Sequence, residues 1–159
     1  QMLNKTILIR GMGGLAEILC EMASLLKFKV IVQTSEEEKE RYPSAAEIIT
    51  DMLELEDIDF HVDYFILATH HSNDDRISLE ALKKGIPYVG VVASAKKTGI
   101  ILEYLKKNGV TEDELEHFFS PTGLELNAKT PEQIALSILS EMVMLENGGS
   151  GKQKKSIIK

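Results

Sequence analysis

The chain has a single cysteine, no tryptophan and only four prolines in 159 residues. One cysteine cannot close an intramolecular disulfide, so a reducing compartment is expected, and Cys20, next to Leu19 in an apolar helical run, reads as a packing residue. No apolar run approaches the roughly 18 residues that a bilayer span needs, and no signal peptide is recognisable; a cytoplasmic protein with no membrane partner is expected. Basic side chains are scarce in the body of the chain. Lys152, Lys154, Lys155 and Lys159 fall in the last eight positions, which leaves residues 1–151 with 14 basic against 25 acidic side chains, a net of −11. Such a body repels phosphate backbones and argues against nucleic acid as a partner. An anionic ligand would have to be held by local backbone N–H groups and a few placed cations. The sequence also lacks a P-loop, a defensible Ser/His/Asp or carboxylate pair, and internal repeats.

What is present begins with residues 5–26, KTILIRGMGGLAEILCEMASLL. Thr6 to Ile9 is a β-rich apolar run, residues 11–14 are a glycine turn, and Leu15, Ile18, Leu19, Met22, Leu25 and Leu26 recur at helical spacing. A strand that enters a helix through glycine is the opening of a dinucleotide-binding α/β fold, and Gly11, Gly13 and Ala16 fit its Gly-x-Gly-x-x-Ala pattern. Residues 29–34 form a second strand. Gln33 lies 22 positions beyond Gly11, where NAD-binding folds place a ribose-binding acid, so neither NAD nor NADP preference is written cleanly. Residues 35–40 are a charged loop or helical start, residues 46–50 a short strand or helical turn, and residues 52–59 helical or irregular.

Residues 63–69, DYFILAT, are a continuous apolar run suited to a sheet covered on both faces. His70, His71, Ser72, Asn73 and Asp74 follow, with Asn73 and Asp74 as caps of a helix over residues 76–84. Residues 88–92 are another buried strand, which leads to a helix capped by Ser94, with Lys96 and Lys97 in its first turn. Cations there oppose the helix dipole unless an anion sits nearby. Thr111 to Glu114 is a capping box, residues 118–126 a loop or short strand, and Thr130-Pro131-Glu132-Gln133 a second capping box. The helix it opens reaches about Glu146, with Ile134, Ile138, Met142 and Leu145 as its buried stripe. A Rossmann-like domain over residues 2–147 is expected, with a flexible Gly/Lys-rich tail over 148–159.

The alternation predicts a three-layer α/β fold, with a largely parallel sheet and helices on both faces, that binds ligand at the carboxyl ends of its strands. The switch point falls between the first strand and DYFILAT. Candidate ligand loops are residues 11–14, 69–73, 93–97 and 120–123. Their candidate cofactor-binding residues are Gly11, Gly13, Gly14, Thr69, His70, Ser94, Lys96, Lys97 and Gly123. Two adjacent histidines point in different directions and no other His or Cys has ligand spacing, so a metal site is not favoured. His61 and His117 carry no functional signal.

Residues 121–135, PTGLELNAKTPEQIA, resemble the Pro-Ile-Gly-Leu-Asp-Ile-Gly-Ala-x-Thr-Pro-Glu-Glu-Ile-Ala segment of the XdhC/CoxI family, accessory factors of xanthine dehydrogenase and related molybdenum hydroxylases. Arg41-Tyr42-Pro43, Thr69-His70, Tyr88-Val89-Gly90 and Ser94-Ala95-Lys96-Lys97 align with further landmarks of its C-terminal Rossmann domain, so the resemblance covers residues 5–147. It implies a protein that binds the molybdenum cofactor (molybdopterin) and delivers it to an apo-hydroxylase, usually as a homodimer. Full-length members carry an N-terminal cysteine-motif domain, so a separate partner supplying that domain is also implied. The family's Gly-x-Gly-His turn is Gly13-Gly14 here, and its acidic pair after the second strand is Gln33-Thr34. Its His-Asp-His is His70-His71-Ser72, and its Gly-Ser-Arg-Arg-Lys is Ala93 to Lys97. An NAD(P)-dependent oxidoreductase using the same turn, or an interaction module whose ligand site has decayed, are the alternatives.

Overall fold

The computed structural model describes residues 5–51, 54–69 and 73–158. The strands are β1 (Thr6–Gly11), β2 (Lys29–Gln33), β3 (Glu47–Ile49), β4 (Tyr64–Ala68), β5 (Tyr88–Val91) and β6 (Phe118–Phe119). The helices are α1 (Gly14–Leu25), α2 (Asp74–Lys84), α3 (Ala95–Lys107), α4 (Glu112–Leu115), α5 (Pro131–Asn147) and α6 (Lys154–Ile157). Every strand pairing is parallel, in the order β3-β2-β1-β4-β5-β6. The chain runs outward from β1 to β3 and then restarts at β4 on the other side of β1. The expected fold class and switch point are thus observed.

Strand side chains alternate between the two faces. Ile7, Ile9, Val30, Val32, Tyr64, Ile66 and Tyr88 face α1 and α5, whereas Leu8, Ile31, Phe65, Leu67, Val89 and Val91 face α2 and α3. Both sets are buried, which is why these strands read as continuous apolar runs. The ambiguous stretches resolve as strand β3, a 3-10 turn at Glu36–Arg41, a 3-10 turn at Leu55–Asp57 and the two-residue strand β6. Met52 and Leu53 of the 52–59 segment lie outside the described residues.

Two helical faces differ from expectation. In α1 the buried residues are Ala16, Leu19, Cys20 and Ala23, while Leu25 is 74% exposed. Size decides this rather than hydropathy. The turn brings α1 so close to the sheet that a Cβ on Gly11 would lie 2.9 Å from that of Ala16, and only small side chains fit beneath the helix. The larger residues Leu15, Ile18 and Met22 sit at the margin of that contact, partly buried. In α5 the stripe is likewise Ala135, Ile138, Leu139 and Met142, with Ile134 at its edge and Leu145 exposed.

Helix α5 extends one residue past Glu146, and Gly148 in the left-handed region closes it. Residues 148–151 then turn back, so that Gly149 N–H donates to the Met144 carbonyl and Gly151 lies against Met144 and Leu124. One helical turn, α6, follows.

Candidate functional site

Helix α1 begins without a side-chain cap. Gly13, at its N-cap with φ 90°, has no side chain to offer, and among the first-turn amides Glu17 N–H donates to the Gly13 carbonyl. A Cβ built on Gly13 or Gly14 would meet no atom within 4 Å. Bare N–H groups at a helix N-terminus carry partial positive charge and accept phosphate oxygens well. Gly11 has a different task, the close passage of α1 over the sheet. The three glycines of the expected site therefore divide into one that packs and two that leave the helix end open.

At the end of β2, Gln33 is fully buried and faces α2, on the sheet side opposite α1. Arg10 Nε donates to Gln33 Oε1 at 2.7 Å, and Gln33 Nε2 donates to the Asp51 carbonyl at 3.1 Å. Burial pulls the Arg10 guanidinium below its ordinary pKa, an effect opposed by Glu80 and Glu54. Where a dinucleotide fold would present an acid to ribose, this chain uses an amide to fix its own strand ends.

The next residues carry only a family signal in the sequence, Thr34 beside Gln33 and Tyr42 between Arg41 and Pro43. Thr34, 1% exposed, extends the Arg10 to Gln33 register by one step and so lies beside Gly11 on the α1 face. Its hydroxyl and that of Tyr42 are buried and lie within hydrogen-bonding reach of each other, and the Ser35 hydroxyl is buried without a hydrogen-bond partner among the described residues. Burial pushes the Tyr42 phenol up to about 12, with Glu17 of the first turn of α1 adding to the shift and the neighbouring Thr34 hydroxyl opposing it. The face of Thr34 was legible by counting one position past Gln33.

The ends of β4, β5 and β6 are organised differently. Thr69 Oγ1 donates to Asp74 Oδ1 at 3.3 Å, and Lys97 Nζ donates to Asp74 Oδ2 at 2.6 Å. Asp74 is 1% exposed and sits at the start of α2, so this pair ties the N-termini of α2 and α3 together. Asn73 stands at the N-cap of α2 but makes no side-chain cap bond, which corrects the expected capping role. Ser94 caps α3 as expected, accepting from Lys97 N–H at 3.1 Å, and Thr98 and Ser120 hydroxyls meet at 2.7 Å. Lys96 is exposed on the first turn of α3. Gly123 is enclosed: at φ 112° a Cβ would lie 2.6 Å from Ser137 Oγ, and its N–H donates to Glu141 Oε1 at 3.0 Å. The same carboxylate oxygen accepts from Tyr88 OH at 2.8 Å. Thr69 and Lys97 thus meet on Asp74, Ser94 caps the helix that carries Lys97, and Gly123 is set into the α5 packing. His70 lies outside the described residues, as do His71 and Ser72. Among the described residues no cluster of His, Cys, Asp or Glu has the makings of a metal site.

Comparison with known proteins agrees with this layout. The model of the XdhC Rossmann domain matches residues 7–142. The Escherichia coli (strain K12) protein YqeB is 28% identical over 152 residues, which are 91% of this chain and 28% of YqeB. A Bacillus subtilis (strain 168) protein, named as a probable xanthine dehydrogenase component, is 31% identical over 106 residues, 64% of this chain and 30% of its own. A crystal structure described as a xanthine dehydrogenase from Bacillus halodurans superposes with a TM-score of 0.78 at 30% identity, covering 91% of this chain and 45% of that one. The chain spans less than half the length of these relatives. With the family's domain matched over most of its residues and the parallel β3-β2-β1-β4-β5-β6 sheet in place, this chain belongs to the XdhC Rossmann-domain family.

Proposed function

We propose that this chain is the cofactor-holding domain of an accessory system for a xanthine dehydrogenase-type molybdenum hydroxylase. It binds the molybdenum cofactor through its phosphate and hands it on without itself catalysing a reaction. The observation that carries the proposal is the uncapped N-terminus of α1 at the switch point, with open space over Gly13 and Gly14. That end fits a phosphate, because its donors are backbone amides whose partial charge is independent of the acidic body. The open turn also favours a working ligand site over an interaction module with a decayed one.

Titration of the chain with molybdenum cofactor, followed by thermal unfolding, tests the proposal. Binding at micromolar concentration is expected, and ligand at about 100 times its dissociation constant should stabilise by roughly 2.7 kcal/mol. Absence of binding, with and without an apo-hydroxylase, overturns it. The same titration with NAD and NADP tests the oxidoreductase alternative, for which the usual ribose-binding acid is replaced by Gln33, an amide engaged by Arg10.

The partners in this proposal are the hydroxylase and a second copy of the chain. Self-association is supported by an apolar groove of about 720 Å³ between α1, α5 and residues 149–152, lined by Leu25, Leu136 and Val143 among others. Among the described residues no helix is long and apolar enough to cross a membrane.

A further inference from the structure

Two apolar elements of this chain are exposed at once, and neither covers the other. The first is the groove between α1, α5 and residues 149–152, where Leu25, Leu26, Leu126 and Leu136 are exposed, Leu25 by 74%. The second is the tail that follows it, in which Ile157 and Ile158 are 54% and 76% exposed. Gly149, Gly151 and Lys152 line the groove and residues 153–158 do not, so the tail leaves its own groove at the rim. Hydrogen bonds hold it there: Gly149 N–H donates to the Met144 carbonyl, Ser156 Oγ to the Gln153 carbonyl and Ile158 N–H to the Lys154 carbonyl. Large apolar side chains gathered in this way on a surface mark an interaction site.

Charge identifies the occupant. The tail carries Lys152, Lys154, Lys155 and Lys159 and no acid, against the net of −11 over residues 1–151. Glu21 lies one turn before Leu25 on the same face of α1, Glu132 one turn before Leu136 on the same face of α5, and Glu125 falls between Leu124 and Leu126 at the groove. Among the described residues none of these three carboxylates makes an ion pair, and neither do Lys152, Lys154 and Lys155. A pair of isoleucines flanked by lysines is the chemical complement of an apolar groove edged with carboxylates. Because the tail starts at the rim of its own groove, two copies that face each other groove to groove place each tail at the mouth of the other's groove. From Lys152 the six residues to Ile158 reach up to about 20 Å, against a helix diameter of about 10–12 Å, so the tail can cross the facing helix layer.

We infer that the tail of one copy docks in the groove of a second, with Ile157 and Ile158 on its leucines and the lysines beside Glu21, Glu125 and Glu132, and that the exchange is reciprocal about a two-fold axis. Such an isologous contact uses tail and groove twice and leaves neither exposed. The inference rests on the proposed self-association and names the segment that makes it. The groove takes the Leu25 end of α1, so the exchange leaves the Gly13–Gly14 end of that helix uncovered.

Sedimentation equilibrium of the full chain over a range of concentrations tests it, and a dimer is expected. Ile158→Asp and Leu136→Asp are each expected to raise its dissociation constant at least 10-fold, and since both side chains are exposed in the single chain, the unfolding midpoint of the monomer stays the same. The two variants mixed should associate more tightly than either alone, because the intact tail of the Leu136→Asp chain still fits the intact groove of the Ile158→Asp chain. A dimer that neither substitution weakens, or a mixture no tighter than its components, overturns the exchange and leaves self-association standing. If Ile158→Asp lowers the unfolding midpoint of the monomer, the tail is seated on its own chain and the exchange falls. A wild-type chain that stays monomeric throughout overturns both.

Discussion

The two ends of the strand crevice solve the same problem in opposite ways. At β4 and β5 the polar groups are consumed by one another: Asp74 takes Lys97 and Thr69, Ser94 takes the Lys97 amide, and Thr98 meets Ser120. At β1 and β2 the helix end is uncapped, and the Ser35 hydroxyl has no partner among the described residues. A residue type at a strand end therefore does not reveal whether it serves a ligand. What separates the ends is whether the fold has already satisfied the group.

The sharpest break of this comparison is at Lys97. Lys97→Met keeps the aliphatic stem but leaves the buried Asp74 carboxylate without its cation, and a loss of about 3 kcal/mol is expected from urea unfolding at pH 7. Asp74→Ala should cost less, about 2 kcal/mol, because the stranded ammonium is the more exposed partner and can turn to water. Equal costs, or none, would show that the β4–β5 end is not closed by this pair.

Gly123→Ala comes next. A Cβ there meets Ser137 Oγ at 2.6 Å and the α5 backbone at 3.3 Å, at a φ of 112° that side chains rarely adopt. Overpacking and backbone strain together should cost about 2–3 kcal/mol, read as a lowered denaturant midpoint. An unchanged midpoint would return Gly123 to the list of ligand-facing glycines.

These cases also show how far the sequence could be read. The parallel sheet, its switch point and the Ser94 and Thr111 caps were legible, because buried strands and capping residues act locally. The α1 face was not. Leu15, Leu25 and Leu26 announce a hydrophobic stripe, but the close approach of Gly11 and Ala16 selects small residues, and that constraint appears only once the helix is laid on the sheet. Asp74 and Lys97 are 23 positions apart on different helices, so their pairing has no sequence signal. Thr34 was legible as the second member of the pair after β2, and the strand period places it on the face opposite Gln33.

A smaller effect is expected where α5 meets the sheet at the amino ends of the strands. Tyr64 OH donates to Glu146, and this contact, ahead of the nearby Lys5 charge, holds the Glu146 carboxyl below the usual carboxylate range. A depressed folded pKa contributes stability that is present above the unfolded value of about 4.3 and lost as pH falls through the lower folded value. Tyr64→Phe should lower stability by about 1 kcal/mol at pH 7 and abolish this part of the acid dependence below pH 4.3. A parallel pH–stability profile for the variant would remove the contact from the account.

The smallest change in stability, and the most telling for function, is expected at Gly14. It begins α1, and a Cβ there meets nothing within 4 Å. Alanine is the better helix former, so Gly14→Ala should shift stability by no more than about 0.5 kcal/mol, upward if at all. The added methyl nevertheless projects into the space over the first-turn amides, where a phosphate oxygen must come within about 3 Å of the N–H groups. Affinity for the molybdenum cofactor is therefore expected to fall about 10-fold, a ΔΔG of about 1.4 kcal/mol, with no loss of fold. Gly123→Ala should do the reverse, costing stability while the cofactor affinity of the folded fraction is kept. Two glycine substitutions that separate in this way place the ligand at the β1–β2 end; a common loss of stability in both, with affinity unaltered, would make the Gly13–Gly14 opening a packing feature like the rest.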